Sequence, residues 1–433
     1  MRSKWLRRSL VLSMAAVFTT VACGTGSSQN AGTVHFLGVW SGQELTNWLA
    51  VLKPFEDQTG IKVSYEASRD QDAILTSRVA AGNPPDVAGA PSPSLLTSFA
   101  KQGKVVPLND AVDMNALQGD TAQSWIKLGE PLNDGKLYEI FAWADVKGLI
   151  WYDPKNFQAK GYNVPKSWDD LMALQSQIKN DGTKPWCITV ESGSATGWPA
   201  SDWLKEIVLS QSGPSVYDQW VAGTIKWSSD PIKQAFQTFG TILGPNDSNV
   251  YGGSQQIIAT NFGDVGTPML KSPPKCYMLN QASFITTFFT SAVPGVTPGT
   301  DFNYFPLPDI NSQYAGAHVV AGDTFSMFKD TPQARKLIQY LTTADAQAVW
   351  VKAGGKIAVN KNVPISDYPD PLAKEEAQII ANTQIAKYDA TDQMPADMKA
   401  AAWADLVKFI QNQGQLNSLL AHLDSVQATA YKS

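Results

Sequence analysis

The sequence predicts an α/β protein of two lobes, on three observations. Strand-type and helix-type runs alternate from residue 33 to 90, and the alternation resumes after about residue 146. Once an export leader is set aside, roughly 400 residues remain, more than one hydrophobic core usually supports. A strand, helix, strand order implies a parallel, doubly wound arrangement in each lobe.

In chain order, TVHFLGVW (33–40) reads as a first strand. LTNWLAVLKPFEDQTG (45–60) reads as a helix, with Leu45, Trp48, Leu49, Leu52 and Phe55 on its apolar stripe and Gly60 at its end. KVSYEAS (62–68) is a second strand and DVAGA (86–90) a third. The second lobe opens with GLIWYD (148–153) as a strand, SWDDLMALQSQIKNDG (167–182) as a helix and CITVES (187–192) as a strand. Ser167 and Asp170 have capping-box spacing, and Gly182 suits a helix end. From about residue 373 the chain is mostly helical, including 399–431.

At the N-terminus, Arg2, Lys4, Arg7 and Arg8 precede an apolar run from Leu10 to Val21 that stops at Cys23, the pattern of an export signal. The run is about half the length that spans a bilayer. VACGTGSSQNAG resembles a bacterial lipoprotein signal. Residues 1–22 are therefore expected to be a signal peptide, Cys23 a lipidation site and 23–32 a flexible tether, with ordinary cleavage as the alternative.

Charged residues make up 17% of the chain, the net charge is −5 and nothing basic clusters beyond the leader, which argues against nucleic acid as a partner. His35, His318 and His422 are widely separated, so no metal site is expected, and no cofactor either. With Cys23 lipidated, Cys187 and Cys276 remain in an oxidising setting and read as a disulfide. The unusual feature is 14 Trp and 13 Tyr beside 3 His. Sugar sites use such rings because the C–H face of a pyranose packs on an aromatic plane, although most rings in any fold serve its core.

Ligands of open α/β sheets bind beyond the carboxyl ends of strands. The turn WSGQE (40–44) follows the first strand, where Trp40 is placed to stack and Glu44 either meets hydroxyls or caps its helix with Ser41. SRD (68–70) follows the second, where Arg69 and Asp70 either bind hydroxyls or pair with each other. Trp198 follows the glycine-bearing GSATG and is a stacking platform or a core residue, whereas Trp203 and Trp220 fall in helical stretches and read as core.

LIQYLTTADAQAVWVKAGGKIAVNKNV (337–363) resembles the recurrent pattern of family 1 extracellular solute-binding proteins of carbohydrate ABC importers. WADVKGLIWYDPKNF (143–157), PWCITVESGSATGWPASDWLKEIVL (185–209), CYMLNQASFITTFF (276–289) and AGDTFSMF (321–328) resemble its α-glucoside-binding branch. The resemblance implies a periplasmic-binding-protein-like fold, with each lobe a doubly wound sheet flanked by helices. A multi-strand hinge would join lobe I (31–145 with 318–354) to lobe II (146–317 with 355–433). It also supports the Cys187–Cys276 pairing and carries sugar contacts onto Trp40, Glu44, Asp70, Asp145, Lys147, Trp198, Gln281 and Asp323, with Asp202 and Trp350 behind them. Asp145 and Lys147 could instead pair across the hinge.

The implied function is capture of a small α-glucoside of the maltose, trehalose or sucrose type by hinge closure, with delivery to the importer's membrane subunits. The protein would be a monomer on the extracytoplasmic face of the bacterial cell membrane, held there by its lipid alone. A glycosidase is the competing class, but the chain has no run of eight regular βα units and no paired acids outside amphipathic helices. Nor does it have a GxSxG, Walker or HExxH motif. Another small solute is the nearer alternative.

Overall fold

The computed structural model describes residues 31–90, 92–383 and 385–432, so the expected leader and Cys23 lie outside the described residues. Four strands begin the first sheet: β1 (Thr33–Gly38), β2 (Lys62–Ala67), β3 (Val87–Ala90) and β4 (Ile140–Val146). The chain then builds a second, four-stranded sheet from β5 (Leu149–Tyr152), β6 (Lys184–Trp186), β7 (Cys276–Gln281) and β8 (Asn303–Pro306), in the order β6-β7-β5-β8. It returns to the first sheet with β9 (Ala317–Met327), β10 (Ile357–Ala358) and β11 (Ile385–Tyr388). That sheet has the order β10-β4-β9-β3-β1-β2, with β11 alongside β9.

The molecule is thus α/β with two lobes. The parallel expectation describes β1 with β2 and β3, whereas β9 runs antiparallel to both β3 and β4. The reason is connectivity: β9 re-enters from the second lobe and so traverses the sheet in the opposite sense. The second sheet is also mixed, β5 being antiparallel to β7 and β8, and β6 parallel to β7.

Both faces of the first sheet are covered. Val34 and Phe36 of β1 face one core, while Leu37 faces another formed by Leu75 and Val79 of the helix Gln71–Ala80 and Leu96 and Phe99 of the helix Pro93–Lys101. The helix Gly42–Thr59 buries Trp48, Val51, Leu52 and Phe55 and leaves Leu49 at 48% exposure. It ends at Gly60, which takes φ +70° and donates its N–H to the Glu56 carbonyl. In the second lobe the helices Trp198–Val221, Ala396–Gln411 and Leu416–Ala430 enclose a core that includes Trp203, Trp220, Phe239 and Leu406.

Two local expectations change. The strand expected at 187–192 occurs as β6 at 184–186: its pairing with β7 ends at Trp186 and Met278, and the Val190 N–H beyond it donates to the Ile257 carbonyl instead. Residues after 354 are expected in the second lobe, yet β10 pairs with β4 and β11 with β9 in the first sheet, and Leu372 and Ala377 of the helix Pro371–Asn382 join the apolar cluster that holds Val34 and Phe36 of β1 together with Trp151 and Tyr304 of the second sheet. The chain therefore leaves the first sheet near Asp389 rather than near 355. Gly182 ends the helix Trp168–Asn180 as expected, at φ +79° one residue beyond the C-cap Asp181.

Cys187 and Cys276 form a disulfide with Cα atoms 5.4 Å apart across a separation of 89 residues. It ties the segment after β6 to the first residue of β7. Among the described residues, no helix is long and apolar enough to cross a membrane, and no His, Cys, Asp and Glu group could hold a metal ion.

Candidate functional site

Where the chain passes from β4 to β5, the lobes enclose a cavity of about 160 Å³. Its lining comes from strand ends of the first sheet (Trp40, Arg69, Asp145, Asp323), from the head of the helix Trp198–Val221 (Trp198, Asp202, Lys205) and from the segment after β11 (Asp389, Thr391, Asp392). Phe262, Phe284 and Trp403 add aromatic surface, and Lys147 and Lys356 add ammonium groups.

The helix Trp198–Val221 delivers its residues to one face by spacing. Asp202 and Lys205 are three residues apart, and the Lys205 ammonium stands 2.7 Å from Asp202 Oδ1 while also pairing with Asp389. Lys147, just after β4, lies 2.9 Å from Asp202 Oδ2 and 3.8 Å from Asp389. Two ammonium groups and two carboxylates thus form one buried, neutral cluster. Burial by itself would lower the Lys147 pKa, but Asp202 and Asp389 outweigh it and hold the group above its usual value.

A second cluster belongs to the first lobe. Lys356 lies 3.2 Å from Asp145 Oδ2 and 2.8 Å from Asp323 Oδ2. Burial raises the pKa of both carboxyl groups against the pull of Lys356. Asp145 Oδ1 is buried without a hydrogen-bond partner. A buried carboxylate oxygen left open is costly unless a donor fills it.

The third group is Glu44 with Arg69, 2.7 Å apart. The Arg69 guanidinium also lies 5.2 Å from the Phe262 ring centroid, so a first-lobe cation meets a second-lobe ring. Trp198 is half-buried, packs edge-on against Phe262 at 5.3 Å and has the Lys147 ammonium 5.0 Å from its centroid. Trp40 is 2% exposed and is braced by Trp48 at 4.8 Å and by Tyr65, which receives its backbone N–H at 2.9 Å.

Of the residues singled out in the sequence, Trp40, Glu44, Arg69, Asp145, Lys147, Trp198, Asp202 and Asp323 all line this cavity. Three do not. Asp70 stands at the N-cap of the helix Gln71–Ala80, and Gln281 is buried in β7 with its side-chain oxygen on the Ala282 N–H. Trp350 stands behind the wall, edge-on to Trp40 at 5.4 Å and 5.5 Å from the Lys356 ammonium. Arg69 pairs with Glu44 rather than Asp70, and Lys147 and Asp145 take Asp202 and Lys356 rather than each other. Ser41 holds the N-cap position of the helix Gly42–Thr59 without a side-chain cap bond.

Lys205, Asp389, Lys356 and Phe262 were missed. Lys205 was findable, three residues from Asp202 on one helix, and Lys356 follows the glycine pair of the recurrent motif. Asp389 and Phe262 carry no local signal, since only the chain's return brings them in.

The profile of bacterial extracellular solute-binding proteins matches residues 40–348. The chain is 35% identical over 403 residues to the osmoprotective compounds-binding protein GgtB of Synechocystis, covering 93% of this chain and 94% of that one. It is likewise 35% identical over 392 residues to the alpha-glucosides-binding periplasmic protein AglE of Rhizobium meliloti, covering 89% and 85%. Among solved structures, the bacterial solute receptor AcbH superposes with a TM-score of 0.81 at 19% identity over 93% of this chain and all of that one. The GacH receptor of Streptomyces glaucescens gives 0.72 at 14% identity over 93% and 99%.

Proposed function

The chain belongs to the bacterial extracellular solute-binding proteins, a family of binding proteins rather than enzymes, and on that premise we propose that it captures a small α-glucoside and delivers it to an ABC importer. The observation that carries the ligand class is the lining of paired charges between aromatic faces. The Lys147, Lys205, Asp202 and Asp389 cluster and the Glu44–Arg69 pair are each neutral, while Asp145 and Asp323 set two carboxyl groups against the one ammonium of Lys356, so the cavity offers both donors and acceptors to a polar ligand. A sugar hydroxyl can accept from an ammonium and donate to a carboxylate at once, and such charge-assisted bonds are the stronger kind. Asp145 Oδ1 is the open acceptor, and Trp198 offers a half-exposed ring to the C–H face.

Capture proceeds by closure, since the two lobes supply different parts of one lining and a ligand favours the form in which both touch it. The leader of residues 1–22 and Cys23 support export and a lipid anchor on the extracytoplasmic face. The protein acts as a monomer, and the importer's membrane subunits receive the closed form.

Calorimetric titration with maltose, trehalose and sucrose, with putrescine as the contrasting solute, tests this reading. At least one disaccharide is expected to bind, and Trp198→Ala is expected to weaken that binding about tenfold through loss of the stacked ring. Binding of putrescine alone, or of no disaccharide, overturns the sugar assignment.

A further inference from the structure

Lys399 and Trp403 lie one turn apart on the second-lobe helix Ala396–Gln411, so both side chains share a face. Lys399 is 4% exposed, and its ammonium lies 5.1 Å from the Trp403 ring centroid. From there it reaches the other lobe. It stands 2.8 Å from Asp72 Oδ2, in the first turn of the helix Gln71–Ala80, and donates to Ser92 Oγ at the head of the helix Pro93–Lys101.

The position of this contact matters as much as its chemistry. Ser92, Asp392 and Trp403 line the ligand cavity, whereas Pro93, Ser94, Pro395 and Ala396 line a wider groove beyond it. Lys399 itself is buried between the two linings, bonded to Ser92 of the cavity, whose neighbour Pro93 lines the groove. Lys147 pairs at the strand crossing itself, but Lys399 joins a helix of one lobe to two helices of the other. Opening the lobes would take the ammonium away from Asp72 and Ser92 and leave Asp392, on its own lobe, as the nearby carboxyl group. Contacts made only in the closed form bias the equilibrium toward it.

We propose that Lys399 is an inter-lobe latch, a positioning residue whose pairing with Asp72 and Ser92 favours the closed form. The latch rests on the two-lobed architecture and not on the identity of the ligand.

Small-angle scattering of the ligand-free protein and stopped-flow Trp fluorescence of glucoside dissociation test it in three variants. Lys399→Met keeps the apolar stem, Asp72→Asn keeps the size of the half-exposed partner, and Lys399→Arg keeps the charge. The Met and Asn variants are expected to scatter as more open particles and to release the glucoside about tenfold faster, the scale of a lost charge-assisted hydrogen bond. Association should be unchanged, and Lys399→Arg should restore most of both readouts. A scattering profile and dissociation rate unchanged in Lys399→Met and Asp72→Asn overturn the latch. If Lys399→Met does not fold, Asp72→Asn decides. If the wild type binds no glucoside, the sugar reading falls alone, and the ligand-free scattering of the variants still decides the latch.

Discussion

Glu206 lies on the buried face of the helix Trp198–Val221, where its carboxyl faces Gly148 at the crossing between lobes and one oxygen has no hydrogen-bond partner. Burial, with Asp202 adding to it, pushes this carboxyl up to about 8 from an ordinary 4.5. Between those values the folded protein holds a proton that the unfolded chain has already released. The contribution to stability is therefore present at low pH, declines as pH rises from 4.5 to 8, and is level above. Asp392, raised to about 7 by burial and Asp389, acts in the same direction over a narrower window. Glu206→Gln is expected to flatten the decline and to be more stable than the wild type at pH 8, as measured by denaturant midpoints across that range. An unchanged slope would remove Glu206 as its source. Nothing in the run WLKEIVL marks Glu206 as different from a solvated helix acid, because its desolvation comes from β9 and the strand crossing that pack over it.

The helix Trp198–Val221 illustrates how one element positions several functional groups. It begins after Gly197, whose φ of +113° suits glycine and whose Cα lies so close to the helix Ala396–Gln411 that a Cβ would come within 2.5 Å of the Trp403 carbonyl oxygen. That close approach holds Trp198, Asp202 and Lys205 against the cavity. Gly197→Ala is expected to cost about 1–3 kcal/mol of stability, the scale of a strained backbone position, and to weaken ligand binding as the helix head shifts. A thermal melt with a calorimetric titration checks both, and a variant matching the wild type in both would show that the helix head has room. The sequence showed Trp203 and Trp220 in helical stretches and the glycine-bearing approach GSATG, but the second helix against which the glycine packs lies some 200 residues away in sequence.

At the scale of the whole molecule, the disulfide closes a span of 89 residues within the second lobe. In the chain-entropy account, a loop of that size is worth roughly 4–5 kcal/mol. The Cys187→Ser, Cys276→Ser double variant should therefore melt several degrees below the wild type, with the deficit matched by the wild type under reductant. Equal melting of oxidised and reduced protein would count against that account. The larger architecture departs from a simple doubly wound pair because one long strand, β9, serves three neighbours. It pairs with β11 near its start, with β4 through its middle and with β3 at its end. The same chain path puts β10 and β11 in the first sheet, whereas a reading by contiguous segments puts them in the second lobe.

Much of this protein was determined by sequence alone. The alternation of β-type and helical runs, the length and the spaced cysteines were enough for an α/β molecule of two lobes with one cross-link, because local periodicity and turn chemistry act over neighbouring residues. Trp40, Glu44, Arg69 and Trp198 were legible as candidates from their places after strands and a glycine-bearing turn, whereas Asp145, Lys147, Asp202 and Asp323 came from the family resemblance, and all eight line the cavity. Only the tertiary structure decided which charge partners which. Arg69 meets Glu44 instead of its neighbour Asp70, Lys356 bridges Asp145 and Asp323, and Lys147 shares Asp202 and Asp389 with Lys205. Partner choice among ionic groups depends on distance and burial after folding, and neither quantity is encoded in spacing along the chain.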